Sequence, residues 1–403
     1  MNLGNIRAFP TEKSPGKVVV FMLKIRAAGR VAGVLLLAVL AGVSPVQAND
    51  GADAMAAMPG MADHDSQRND FVLFLSAEAH HFTAPQPDED LDEDTLALAD
   101  ALLVINRDRF RLLGEFQLGE EEHDLERFQV GFEPVADTVI WLGRFHQPGS
   151  AWNTEHHHGR YLQTAITRPS VELWEDEEGI IPQHIFGVLL DSRRPVGDKG
   201  GLQLSAGAGV GNTLTDDGLD PVNLLDPHLG SRHLSLTGRI AWLPDYVGTT
   251  SFGLLVSHSD LPVLTPSTAA LLRGNRVEQD VYGGFAYWNS ENLHAIAAVY
   301  DLQMNISGLM GSHAESFLAG YVQVERQLPH QLTVYGREEN SSRAGDSLYI
   351  QLDHNDFELR RASVGLRWDF LRHQALTLET AHGQIIRERE FEYRLQWSAA
   401  LPW

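Results

Sequence analysis

Sixteen stretches of this chain alternate apolar and polar side chains with a period of two, and the gaps between them alternate in length. The stretches run over residues 70–78, 99–107, 109–118, 125–133, 138–146, 184–192, 200–211, 233–243, 249–258, 277–288, 293–305, 316–327, 331–339, 357–370, 374–385 and 389–401. Gaps after even-numbered stretches are short, as in "PVAD" at 134–137, "PDYVG" at 244–248, "SENL" at 290–293, "LPH" at 328–330 and "LRH" at 371–373. Those after odd-numbered stretches include 79–98, 147–183, 212–232, 259–276 and 340–356, with 119–124 and 386–388 shorter. Parity of this kind has no reason to arise in a soluble sandwich. It follows directly when an even number of strands closes a barrel across a membrane, with tight turns on the side holding both termini and long loops on the other. The expected fold is therefore all-β: a closed antiparallel transmembrane β-barrel of about 16 strands over residues 70–403, with a long third external loop.

Two segments show the lipid-and-water pattern plainly. In "SVGLRWDF", Val364, Leu366, Trp368 and Phe370 face one way and Gly365, Arg367 and Asp369 the other. The chain ends "FEYRLQWSAALPW", where every second residue from Phe391 to Trp403 is apolar. Such a strand would be a hazardous open edge in a soluble domain. Only one other apolar run stands out, about thirteen residues within 31–43, preceded by Lys24, Arg26 and Arg30 and followed by Val46 and Ala48. Too short to span a bilayer as a helix, it reads as a secretory signal peptide over 1–48, with translation starting at Met22. Residues 49–69 are expected to form a flexible Met- and His-containing periplasmic segment.

Removing residues 1–48, which hold six of the 31 basic and one of the 54 acidic residues, leaves a net charge of about −28. That charge disfavours nucleic acid as a partner. With no Cys, thiolate metal sites, disulfide frameworks and Cys nucleophiles are excluded. No GxSxG or comparable spacing fixes a nucleophile, and "GAGVG" at 207–211 lacks the Lys of a phosphate-binding loop. The chain does not read as an enzyme, and no cofactor is implied.

The export signal, the loop parity, the acidic balance and the aromatic terminal strand together resemble the sixteen-stranded outer-membrane porins of Gram-negative bacteria. The resemblance spans 70–403, although Pro402 beside the terminal Trp403 departs from the usual insertion signal. It implies an outer-membrane location, contact with lipid and lipopolysaccharide, insertion by the barrel-assembly machinery through the C-terminal strand, passage of small hydrophilic solutes, and possible homotrimer formation. It also implies that the third external loop folds into the lumen. That loop is "QPGSAWNTEHHHGRYLQTAITRPSVELWEDEEGIIPQ", residues 147–183. A constriction is expected from Glu172, Glu175, Asp176, Glu177 and Glu178 opposed by Arg160 and Arg168, joined by wall residues Arg144, Arg109 and Arg367. The other reading of the same acids is a solvated loop on the cell surface.

Two stretches suggest metal chemistry. His156 and His158 share a face in an extended chain, with Glu155 and His146 near in sequence. Met55, Met58 and Met61, followed by His64, supply soft thioether and imidazole donors suited to copper. This second cluster weakly resembles the leader of outer-membrane copper-resistance barrels, where a flexible linker would serve equally. The expected function is a mildly cation-preferring porin-like channel for passive diffusion, with a copper-handling barrel as the alternative.

Overall fold

The computed structural model describes residues 69–403 except 84–92, 120–122, 151, 157–158, 216–217, 226–231, 264–275, 309–310, 355–356 and 386–388. The signal-peptide reading and the Met55, Met58, Met61 and His64 cluster lie outside the described residues, as does His158. The described residues form eighteen strands: β1 (Asn69–Thr83), β2 (Glu93–Arg107), β3 (Phe110–Leu118), β4 (His123–Val135), β5 (Thr138–His146), β6 (His184–Val196), β7 (Gly200–Val210), β8 (Thr213–Thr215), β9 (Gly218–Asp220), β10 (Leu234–Leu243), β11 (Ser251–Pro262), β12 (Arg276–Asn289), β13 (Leu293–Gly308), β14 (Gly311–Leu328), β15 (Leu332–Ser342), β16 (Arg360–Leu371), β17 (Gln374–Gln384) and β18 (Arg389–Pro402). Sixteen of them close into one antiparallel barrel, and β8 and β9 form a small separate hairpin.

Each of the sixteen expected strands is present. The terminal strand is no edge: β18 pairs with β1 from Val72↔Pro402 to Thr83↔Phe391, so every ladder is closed. Three differences concern the loop side. The wall rises higher than the alternation suggested, because β1, β2 and β11 continue into the expected loops. β13 and β14 also continue into the stretch between 305 and 316, where they pair up to Gly308↔Gly311. There Gly311 sits at φ 108°, a conformation that L side chains rarely adopt. Finally, residues 212–232 carry the β8–β9 hairpin, and 340–356 carry one helical turn, α1 (Leu348–Asp353), whose N-cap Ser347 side chain accepts from the Ile350 N–H.

The outer face is apolar over the middle of the wall, with Leu142, Leu254, Val256, Val299, Val322, Val364 and Leu395 all exposed. Phe110, Phe132, Trp242, Trp288 and Trp368 are exposed beside the tight turns, where an aromatic belt marks a lipid–water boundary. Among the described residues no helix is long and apolar enough to cross a membrane.

The interior departs from a simple water-filled tube. On β13 the inward residues are Ile296, Ala298, Tyr300, Leu302, Met304 and Ile306, while Asp301, Gln303 and Asn305 face out. These inward side chains join Val281, Phe285, Tyr287, Phe317 and Tyr321 in a core completed by Trp152, Val171, Ile180 and Ile181 of the third loop. A second cluster unites Val72, Phe74, Leu102, Val104 and Leu113 with Tyr161 of the same loop. The wall is apolar inside where the loop covers it, because burying apolar area is what holds the loop there.

Candidate functional site: the loop across the lumen

The loop leaves β5 after His146 and rejoins the wall at His184, and the Gln147 N–H donates to the Gln183 carbonyl (2.6 Å) to close its neck. Between these ends the chain makes four short helical turns, at Trp152–His156, Arg160–Leu162, Ser170–Glu172 and Glu175–Glu177. Its anchors are inward side chains of six successive strands, β12 to β17. Gln279 donates to the Ile180 carbonyl (2.9 Å). Glu325 accepts from the Thr164 hydroxyl (2.6 Å). Arg337 donates to the Thr167 carbonyl (2.7 Å), and Glu339 accepts from both the N–H and the hydroxyl of Ser170 (2.7 and 2.8 Å). Arg367 donates to the carbonyls of Tyr161 (2.7 Å) and Gln163, and its guanidinium lies 4.9 Å from the Tyr161 ring centroid. Glu379 accepts from the Ile166 N–H (3.1 Å) and the Thr167 hydroxyl (2.6 Å).

The strongest convergence is on Glu172. Its carboxylate accepts from the hydroxyls of Ser150 (2.6 and 2.5 Å), Tyr300 (2.5 Å) and Tyr321 (2.7 Å). Burial raises its pKa, and the hydroxyl donors and Arg168 oppose that rise. Arg168 donates to the Glu172 carbonyl (2.8 Å) and Asn153 (2.6 Å), with its guanidinium 4.0 Å from the Trp174 ring centroid. Glu175 accepts from the N–H groups of Gln183 (2.6 Å) and His184 (2.9 Å), from Asn212 (2.8 Å), and pairs with the His184 ring (2.9 Å). Burial pushes its pKa up, but His184 and these donors outweigh burial and bring it down to about 2.

The expected constriction residues thus separate. Glu172, Glu175 and Arg168 are buried anchors instead of groups facing a water gap, because inward hydroxyl, amide and imidazole donors meet the carboxylates. Arg160 and Glu177 pair with each other (2.6 Å) at partial exposure. Glu178 is exposed at a left-handed turn, φ 65°. The Asp176 side chain lies outside the described residues. Arg144 is buried in the wall beside the neck, bonded to Asp124 and the Leu125 carbonyl (3.0 Å). Arg109 is exposed in the β2–β3 turn, away from the loop. His156 packs its ring against Trp152 (4.9 Å) and Tyr287 (6.5 Å), and burial lowers its pKa to about 4, so it is a core imidazole. Glu155 has its nearest charged influences in Arg239 and Arg193 of the wall.

Sequence reasoning did not single out the anchors Tyr300, Tyr321, Arg337, Glu339 and Glu379. It also passed over a chain of inward ion pairs beside the loop. Arg361 pairs with Glu392 (2.8 Å) and Glu358 (2.7 Å), Arg394 with Glu78 (2.7 Å) and Glu392 (2.9 Å), and Arg127 with Glu115. The signal was available for all but Glu358, which precedes β16, since each of the others sits at an inward position of its strand.

A closed sixteen-strand barrel, lipid-compatible outside and crossed inside by its third long loop, is a known architecture. Its fold is that of a porin-like β-barrel. The porin-like barrel is similar in fold to OmpT of Vibrio cholerae (TM-score 0.52, 8% identity, 85% of this chain and 100% of that one). It is also similar to the outer membrane channel DcaP of Acinetobacter baumannii (0.51, 10%, 85% and 100%) and to Salmonella typhi OmpF, solved in complex with daunomycin (0.51, 12%, 84% and 99%). No family model matches the sequence, and no curated protein matches it significantly.

Proposed function

We propose that the protein is a passive diffusion channel for small hydrophilic solutes, with the 147–183 loop as the element that narrows its lumen. The observation that carries this reading is the inward course of that loop, hydrogen-bonded to six strands of the inner wall. Inward ion pairs line β1–β4 and β16–β18 beside the loop, which packs there through Tyr161 and is held by Arg367 and Glu379. Inward carboxylates there include Glu78, Asp100, Glu115 and Glu392, against Arg127, Arg361 and Arg394. An acidic excess between low-dielectric walls favours cations, so the channel is read as mildly cation-preferring. Contact with lipopolysaccharide, insertion through the barrel-assembly machinery and assembly as a homotrimer belong to the same proposal.

Single-channel recording of the refolded barrel in a salt gradient tests it. Discrete conductance steps and a cation-signed reversal potential are expected. Absence of any conductance would overturn the channel, and an anion-signed potential would overturn the cation preference. Among the expected metal residues, His156 is a core group, while residues 54–65 and His158 lie outside the described residues, and the copper-handling alternative rests on them. Deleting 50–65 separates the two readings: conductance is unchanged if the segment is a linker, and copper tolerance falls if it carries copper.

A further inference from the structure

Three buried side chains from adjacent strands meet at the neck of the loop: Glu126 of β4, His146 at the end of β5 and His184 at the start of β6. One ligand atom from each lies within 4.8 Å of the others. His184 is held at both nitrogens. Its Nδ1 pairs with Glu175 Oε2 (2.9 Å), which points Nε2 at Glu126 Oε2 (3.0 Å). Glu175 is fixed in turn, because its Oε1 accepts from the Gln183 and His184 N–H groups and from Asn212. The two imidazoles meet edge to face at 4.8 Å, and Trp174 covers both, 4.7 Å from His146 and 5.6 Å from His184.

We propose that Glu126, His146 and His184 form a binding site for a divalent transition-metal ion of the zinc class. The His184 ring bridging Glu175 and Glu126 would by itself be an ion-pair network that needs no second imidazole. Here a second imidazole stands at ligand distance, and an outer carboxylate orients the far nitrogen of the first, as in carboxylate–histidine–metal triads. Two imidazoles and a carboxylate suit Zn²⁺, Ni²⁺ or Cu²⁺ and leave a coordination position for water or for the second oxygen of Glu126. Arg144 lies 3.6 Å from Glu126 Oε2 and disfavours an added cation, but its nearer partners are Asp124 and the Leu125 carbonyl. Glu175 is a positioning residue that ties the site to the loop. An ion bound here would therefore fasten β4, β5, β6 and the loop neck at one point.

The test uses the full mature chain, refolded and stripped with a chelator, and the same chain lacking residues 50–65. Zn²⁺ is titrated calorimetrically, and Co²⁺ reports its ligands by visible and X-ray absorption. One ion per chain is expected in both proteins, with imidazole ligation and the absorption of low-coordinate Co²⁺. His146→Ala and Glu126→Gln should abolish stoichiometric binding, and His156→Ala should leave it unchanged. Glu175→Gln keeps all three ligands and should weaken binding about 10- to 100-fold. Folding of each variant is checked by heat-modifiable gel mobility. If a ligand variant fails to fold, the Co²⁺ spectrum of the parent decides. The proposal is overturned if the parent binds no ion, if bound Co²⁺ lacks imidazole ligands, if folded His146→Ala binds as the parent does, or if deletion of 50–65 removes the binding.

Discussion

Glu172→Ala is the substitution that most directly tests whether the loop is held across the lumen by its polar anchors. Three hydroxyl groups converge on this one buried carboxylate. Hydrogen bonds to a charged group contribute about 1.5–3 kcal/mol each, roughly 5–9 kcal/mol for three. Burying the carboxylate costs several kcal/mol, which the raised pKa also reflects. Burial thus outweighs those bonds for the charge itself, and what alanine costs the attached loop is the acceptor: the buried Tyr300 and Tyr321 hydroxyls are left unpaired, at about 1–3 kcal/mol per group and so roughly 2–3 kcal/mol for the pair at the low end. At about 1.4 kcal/mol per decade, this cost shifts the ratio of detached to attached loop by roughly 30- to 150-fold. Glu172→Gln retains an acceptor oxygen for the tyrosines and should produce a smaller shift. In bilayer recordings the alanine variant should spend more time at a wider conductance level, and trypsin should cut more readily after Arg160 or Arg168. Because the barrel ladders are untouched, gel mobility of the folded form should stay the same. Parent-like occupancy of conductance levels together with parent-like protease protection would refute the assignment of Glu172 as an anchor.

Other perturbations follow from the same contacts. Arg367→Met removes the donors to the Tyr161 and Gln163 carbonyls and should release the segment packed on Phe74, raising conductance in the same recordings. The reversal potential of the parent in a salt gradient should fall towards zero as salt rises to molar, where the screening length is about 3 Å. In the loop before β16, burial, aided by Glu339 and Glu392 and opposed by Arg361, holds the Glu358 carboxyl up at about 7. A raised acid pKa gives stability that is present below the unfolded value of 4.5 and lost as pH rises through about 7. Thermal unfolding of Glu358→Gln should therefore depend less on pH than that of the parent over this window, and equal pH dependence would count against the shift.

The barrel was legible because its two strongest constraints are local in the sequence. Period-two alternation such as Val364, Leu366 and Trp368 against Arg367 and Asp369 needs no knowledge of partners, and gap parity fixes which side of the membrane each turn lies on. Strand ends on the loop side were less legible. Above the lipid the outer face need not be apolar, so Asp301, Gln303 and Asn305 stand outside on β13 while Met304 and Ile306 stand inside. Beyond Asn305 the sequence "ISGLMGSHAE" carries glycines and serines in place of an alternation, so it reads as a loop although β13 and β14 stay paired there up to Gly308↔Gly311.

The site was harder to read, because an acidic loop gives the same sequence whether its carboxylates face water or meet buried donors. What decides is the partner, and the partners of Glu172 lie 128 and 149 residues away, on β13 and β14. Those strands carry tyrosines at inward positions, Tyr300 and Tyr321, where a water-lined wall would carry charge. An inward tyrosine or leucine on a barrel strand is thus evidence for a covering segment inside, and in this chain the long third loop is that segment. The charged inward positions carry the same lesson: Arg127 with Glu115, and Glu392 with Arg361 and Arg394, are met by one another at low exposure, so an inward charge on a barrel strand is by itself no sign of a water-lined wall, and the partner across the ladder decides.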